Sequence, residues 1–525
     1  MRHILYLILL LSPLIVYTQA PTFIQLGIGY VSYAHNPVLE KVPFMAWGQH
    51  TKGKKMQPND DIGVLCTYES FGGVHIAELD FDLPLSNLEI QDSIHILFKE
   101  RYPKIPLDHV IMRVNHIHGM GCVYDHFAPM YLLVGGHVPE FERMLIETGI
   151  EALYQATQNK QSCKIVHKTK NILNPWWVNR SPHSFVGNPE YNGNQKEAEH
   201  EVIQELHLTE YLNKQNQKVL VRLSIGLHET TFSNKDSLTR SGVMARASRK
   251  LQQEYPNTRF IIMPGSGNGT TASAHRKHLK KCWKHDLGVD HSRQITDSIV
   301  HTTLAIINSS DKIDTLIFDQ IEWKTTTKDY YHDTTYNKRL TPPLLRLGFG
   351  TGAYREGQLN LLYYFAFPVI PKDAYRNAIF YDFEQGKVLG MKDRVLGKVL
   401  SWLPFTTLRA FRFGNHQGYL EEGKLRHDTR INCTIIKMGN WVRVFHPFEP
   451  SVGSSRYHIL PLMQAIYPNH AIEEAPYSGG HQFYIVPKGV FHRQTYFRRA
   501  YEAASCIYGP HELLTFLNQL IATSP

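Results

Sequence analysis

Short apolar runs punctuate the chain, each closed off by glycine, proline or polar residues. Gly73–Phe81 (GVHIAELDF), His109–Val114 (HVIMRV), Val219–Ile225 (VLVRLSI) and Arg259–Met263 (RFIIM) are too short for helices and rich in Val and Ile, which predicts buried strands. Asn432–Met438 and Trp441–His446 flank Gly439-Asn440, a pairing that predicts a hairpin. Two segments carry the other period: Phe141–Thr157 and Ser241–Tyr255 place apolar residues at helical spacing. Strand and helix patterns interleaved in this way predict an α/β protein of mixed β-sheets with packed helices. No internal repeat, low-complexity tract or dividing linker interrupts residues 21–525, which read as one domain.

The ends of the runs carry candidate chemistry. His116 and His118 sit in NHIHGMGC just beyond Val114, and His228 sits in GLHETTFS just beyond Ile225. Glu449 lies in HPFEPSVG after His446, and a polar turn, GSGNGTTAS, follows Met263. In α/β folds, sites gather where strands end, so strands ending on one rim would bring these residues together. Two neutral imidazoles and a carboxylate form a common catalytic zinc set that leaves room for water or substrate. Taken singly, each residue has a plainer reading. A chain with 29 histidines readily contains an HxH pair. His228 would also fit a hydrogen-bonded core, and Glu449 a surface turn bounded by prolines.

Composition narrows the class further. Of 525 residues, 42% are hydrophobic and 20% charged, which excludes a disordered chain and allows a sizeable core. Residues 1–20 pair Arg2 and His3 with an apolar stretch, Ile4–Val16, and end Thr18-Gln19-Ala20. This pattern predicts a cleaved secretory signal and a secreted, periplasmic or extracellular protein, with an uncleaved anchor as the alternative. No later stretch is apolar and long enough to predict a membrane helix. Six cysteines without a CxxC pair argue against a zinc knuckle, and so few cannot staple a chain of this length. The net charge is +9, with a basic cluster at His275–His285 (HRKHLKKCWKH). Nucleic acid, an anionic lipid surface and a solvated helix face would all account for it; export disfavours the first.

Five stretches, in order along nearly the whole chain, resemble the neutral (non-lysosomal) ceramidase family. VNHIHGMGC resembles its Thr-His-Thr-His-Ser-Gly-Pro-Gly-Gly segment. WVNRSPHSFVGNP is similar to its Asn-Arg-Ser-Pro…Asn-Pro loop, the most specific match. GLHETTFSNKDSL resembles its His-Gly-Thr-Ser region, and FHPFEPSVGSSR its Pro-Gly-Glu-Phe-Thr segment. RRAYEAASCIYGPHELL is similar to Arg-Tyr-Glu-Ala-Ala-Ser-Thr-Ile-Tyr-Gly-Pro-His-Thr-Leu.

The resemblance implies a large ceramidase-like catalytic domain and a Zn2+ cofactor. It places metal ligands at His116, His228, Glu449 and Tyr484, with Tyr477 and Tyr467 as alternatives for the tyrosine. It places a proton-handling residue at His118, a substrate-contacting arginine at Arg180 and a second tyrosine, near the scissile carbonyl, at Tyr501. The types suit these roles: a phenolate is a hard oxygen ligand, a second phenol can steady an oxyanion, and a guanidinium suits a polar head group.

The sequence also departs from the family. Its Gly-Asp-Val-Ser-Pro-Asn segment becomes GNGTTASAH, where Thr270 replaces the aspartate and Ala272 the serine; Ser273 aligns only after a shift of one. Attack by water is therefore favoured over a serine nucleophile, with Thr270 and Thr271 left to bind substrate. Leu347–Gly357 loosely resembles a family glycine turn; its GxGxG spacing does not fit a dinucleotide loop. The family's C-terminal β-sandwich is expected to be absent. The function implied is hydrolysis of the N-acyl amide of ceramide or a related lipid, with a lipid substrate at a membrane surface and no nucleic-acid partner. A catalytically inert relative that binds lipid or metal is the alternative.

Overall fold

The computed structural model describes residues 21–42, 60–118, 138–173, 175–179, 191–198, 200–229, 241–268, 270–272, 288–329, 381–382, 387–388, 430–481, 484–485 and 517–518. Within these, the expected α/β architecture is present. The larger sheet begins with β1 (Phe23–Ser32), β2 (Gly63–Phe71), β3 (Val74–Phe81) and β4 (His109–Val114). It continues with β5 (Lys160–Asn171), β7 (Glu205–Asn213), β8 (Lys218–Ile225) and β9 (Arg259–Pro264). Their order is β4-β3-β2-β1-β5-β7-β8-β9, and β11 (Lys312–Thr315) pairs with β5. The β3/β4 and β8/β9 pairs are parallel, and the other pairs antiparallel.

Parallel neighbours need a crossover. Helix α1 (Leu88–Arg101) supplies it between β3 and β4. The second crossover, between β8 and β9, is a later helix, Val243–Glu254. Helix α2 (Pro139–Gln158) lies against β1, where Gly27 and Gly29 leave the room that a side chain would fill. With α2 in place, the Val243–Glu254 helix is α3, and α4 spans Gly288–Asn308. Helix α1 begins at a local cap, the Asn87 side chain accepting from Ile90 N at 3.0 Å. Strands β6 (Trp177–Asn179) and β10 (Thr270–Ala272) form a separate ladder, with Thr270 opposite Asn179. The long loop expected over Asn174–Asn194 therefore contains a short strand.

A smaller sheet covers the other face of the large one. It contains β12 (Glu322–Asp329), β15 (Arg430–Met438), β16 (Trp441–Phe445) and β18 (Ala471–Ala475), in the order β12-β15-β16-β18. The hairpin expected at Gly439-Asn440 is present, with Gly439 in the left-handed region at φ +59. Among the described residues, two minor ladders accompany these sheets: β13 (Tyr381–Asp382) with β14 (Lys387–Val388), and β17 (Glu449–Pro450) with β19 (Tyr484–Ile485). Ile24, Leu26, Ile111, Leu220, Ile261 and Met263 of the large sheet meet Ile436, Met438, Trp441 and Phe445 of the small one. Cys66, Cys163 and Cys433 are buried free thiols, packing as small hydrophobes.

Between the two sheets lies a layer of buried charge. Glu78 on β3 accepts from Arg113 on β4 at 2.7 Å and from Arg222 on β8. Arg443 on β16 grips the same carboxylate with two bonds, at 2.6 and 2.9 Å. Burial alone would raise the Glu78 pKa, but Arg222, Arg443 and Arg113 outweigh it and hold the group well below the carboxylate range. Asp80 accepts from Arg222 at 3.2 Å, and its pKa is pushed up to about 6 by burial and by Glu78. Glu473 on β18 accepts from Ser224 of the large sheet and from Trp441 Nε1 at 3.1 Å. Arg113 also donates to the carbonyl of Pro264 at 3.3 Å, so β4 and β9 approach each other and the large sheet curls around this layer.

Candidate metal centre

Three strands leave the charge layer and run on into one cluster. β4 continues past Arg113 to His116, β8 continues past Arg222 to His228, and β16 continues past Arg443 to Glu449. The His228 side chain lies against Glu449, with Nδ1 to Oε1 at 2.9 Å. His116 Nε2 is 3.6 Å from Glu449 Oε2 and 3.3 Å from His118 Nε2. Ligand atoms of His116, His118 and His228 all lie within 4.8 Å of one another. At zinc bond lengths, a tetrahedral site has donor–donor edges of about 3.3 Å; the 3.3 and 3.6 Å spacings are close to this, while the 2.9 Å contact has the length of a hydrogen bond.

Each arm is held by its neighbours. His116 Nδ1 donates to the carbonyl of Pro84 at 2.6 Å, which fixes the tautomer and turns the Nε2 lone pair toward the cluster. Asn115 Nδ2 donates to Asp82 at 2.5 Å, and Ile117 N to Leu83 O at 3.3 Å, so the arm runs along the chain leaving β3. Burial lowers the His116 pKa well below its ordinary value, although Glu449 opposes this. The imidazole is thus neutral, the form that binds metals. His228 is bracketed by Thr270, whose hydroxyl donates to Gly226 O and whose carbonyl accepts from His228 N at 3.2 Å. The Glu449 arm begins at His446, whose Nδ1 accepts from Phe448 N at 3.3 Å while its Nε2 pairs with Glu474 at 2.9 Å.

A tyrosine completes the cluster. The Tyr477 ring stacks on His116, with centroids 4.3 Å apart and planes 10° apart, and its hydroxyl is 3.5 Å from His228 Nδ1. Asn268 Nδ2 donates to that hydroxyl. Both stacked residues have left-handed backbones, φ +59 for His116 and +56 for Tyr477. A bulky tyrosine rarely adopts this conformation, and such strain concentrates at functional sites. His481 adds a further ring, its centroid 6.2 Å from that of His116.

The sequence-derived candidates distribute as follows. His116, His118, His228 and Glu449 come together as described. Tyr484 is the register partner of Glu449 in the β17/β19 ladder and is buried, while the fallback Tyr477 places its hydroxyl against His228. Tyr467 caps the C-terminus of helix α5 (Leu460–Ile466), where its ring meets His470. Thr270 is buried, with its hydroxyl on Gly226 O, and Thr271 pairs with Val178 through β10. Arg180, Ser273 and Tyr501 lie outside the described residues, as do residues 1–20, the basic cluster and Leu347–Gly357. Tyr477 and Asn268 both follow strand ends, β18 and β9, so the rule that singled out His116 also reaches them. His481 carries no comparable signal in the sequence.

No protein-family model matches the chain, and no curated protein matches it in sequence. Solved structures do. Neutral ceramidase from Pseudomonas aeruginosa superposes with a TM-score of 0.67 at 12% identity, over 96% of this chain and 74% of the ceramidase. A ceramidase complexed with C2 superposes with a TM-score of 0.66 at 12% identity, over the same shares. The chain thus has a ceramidase-like fold, and its strand ends carry a histidine group able to hold a metal ion.

Proposed function

We propose that the protein is a zinc-dependent amidohydrolase that cleaves the N-acyl amide of ceramide or a related N-acyl lipid, releasing a fatty acid and an amine. The observation that carries this reading is the convergence of His116, His118, His228 and Glu449 from distant parts of a ceramidase-like fold. When bound, zinc supplies a Lewis acid for the amide carbonyl and lowers the pKa of water toward neutrality.

The chain's own residues do the rest. His116, His228 and Glu449 hold the ion, with a tyrosine, Tyr484 or Tyr477, as a further oxygen donor. His118 is half-buried beside them and carries a proton to the leaving nitrogen. Tyr501 steadies the oxyanion, Arg180 orients the head group, and Thr271 and Ser273 supply hydroxyls for substrate, with water and not the serine as nucleophile. Residues 1–20 direct export, which brings the enzyme to lipid at a membrane surface.

A specific observation favours a second reading, an inert relative that binds lipid or metal. Where the resemblance expects an aspartate, Thr270 directs its hydroxyl to the Gly226 carbonyl. One experiment separates the two. Purified protein, stripped with a chelator and then reloaded with zinc, is incubated with N-acyl sphingoid and N-acyl amino lipids, and free fatty acid is measured. Zinc-restored release supports the hydrolase. Saturable lipid or zinc binding with no release from any substrate overturns it in favour of the binder.

A further inference from the structure

We infer that Glu229 is a positioning residue that clamps the His228 arm to the N-terminus of helix α3, at the same glycine on which the His116 arm packs through Ile117; the consequence for metal affinity rests on the metal-centre reading above. Glu229 follows His228 directly and is buried, with 1% exposure. Its carboxylate accepts from Val243 N at 2.8 Å and from Met244 N at 3.1 Å, the first two residues of α3.

Helix α1 is capped from its own preceding residue, Asn87. At α3 that position is Gly242, which offers no side chain, so two of the free N–H groups of the first turn, those of Val243 and Met244, are satisfied by the residue beside His228. The helix thereby becomes the reference against which the His228 arm is held.

The other histidine arm meets the same point. A Cβ at Gly242 would stand 2.6 Å from Glu229 Oε2 and 2.6 Å from Cγ2 of Ile117, the residue between His116 and His118. The backbone at Gly242 has φ −68, an ordinary value, so close approach accounts for the glycine. Helix α3 itself is fixed by burying Val243, Met244, Ala247 and Leu251 in the core with β8 and β9. Both arms therefore close on one glycine at the head of a rigid helix.

The test compares Glu229→Ala and Gly242→Ala with Leu251→Ala, a core truncation two turns along the same helix. Three quantities are measured: zinc affinity, thermal midpoint, and hydrogen exchange of the metal-free proteins over residues 115–118 and 226–229. Glu229→Ala and Gly242→Ala are each expected to weaken zinc binding by about 10–100-fold, the usual cost of losing an outer-shell support. Both should speed exchange in both segments, and their effects should not add in the double variant. Leu251→Ala should lower the midpoint at least as much yet keep zinc affinity within about twofold.

Wild-type zinc affinity in Glu229→Ala, or equal weakening by Leu251→Ala, overturns the clamp. If the wild-type protein takes up no zinc, the metal reading falls and exchange alone judges the clamp. Unchanged exchange over both segments in Glu229→Ala would then overturn it.

Discussion

Two buried polar clusters share three strands and differ in how their charge is closed. In the lower one, Arg113, Arg222 and Arg443 face Glu78, Asp80 and Glu473, so cations and carboxylates compensate each other within the protein. In the upper one, the same strands deliver His116, His228 and Glu449, with His118 alongside. There a buried carboxylate sits among imidazoles, of which His116 is held neutral by burial. The lower cluster pairs charge with charge inside the protein; the upper one gathers histidines able to hold a metal ion.

The contrast can be broken most forcefully from below. Glu78→Gln leaves three arginines without their shared counter-charge and is expected to cost about 3–5 kcal/mol or abolish folding, with or without metal. Chemical denaturation of the variant checks this, and a native midpoint would show that the layer is not closed by Glu78.

Acid probes the histidines packed around the same interface. His109 accepts or donates at Thr434 Oγ1 over 3.1 Å and stacks on Trp323, and burial holds its pKa down to about 4. Its unfolded value is near 6.5, so between these limits the unfolded chain binds the extra proton. Stability contributed by neutral His109 is present above pH 6.5 and is lost as pH falls toward 4, by about 3 kcal/mol. His109→Gln, which keeps a partner for Thr434, should flatten that part of the stability–pH curve.

The upper cluster should respond to metal where the lower one does not. Zinc at a hundred times its dissociation constant should stabilise the wild-type fold by about 2.7 kcal/mol. Glu449→Gln should remove most of this gain while leaving the metal-free midpoint nearly unchanged. The smallest expected effect belongs to Tyr477→Phe. It deletes one hydroxyl, bonded by Asn268, and should cost about 1 kcal/mol in the metal-free protein and a further loss of zinc affinity if that oxygen is a ligand.

Legibility of the fold in the sequence followed how cleanly each strand is buried. His109–Val114 and Arg259–Met263 are short runs dominated by apolar residues, and their strands begin where expected. β5, KQSCKIVHKTKN, carries no clear strand pattern because its polar positions are interleaved with buried ones, including Lys168, which is buried against Glu210 at 3.0 Å. β1 was equally obscure because Gly27 and Gly29 serve the packing of α2, and glycine carries no strand signal.

In the site, His116, His228 and Glu449 were visible because each is a metal-binding type just past a strand. The charge layer was not, since Glu78, Arg222 and Arg443 each stand as a charge within a mostly apolar strand run, and no spacing shows that the three face one another. Only the curl of one sheet over another buries them. Glu229 was hidden for a related reason: its partners are backbone N–H groups, which no residue pattern announces.

The turn that carries Tyr477 has a second consequence. β4 stands last in its sheet, and the next residues along this turn lie against it: Ser478 bridges to Arg113, and Gly479 N donates to Met112 O at 2.9 Å. On the same strand, Gln91 from α1 accepts from Met112 N at 2.9 Å. A border strand left bare would be a template for pairing with other chains. Loosening residues 477–480 would therefore unseat a tyrosine and also expose an adhesive margin, so damage at this turn should surface first as self-association.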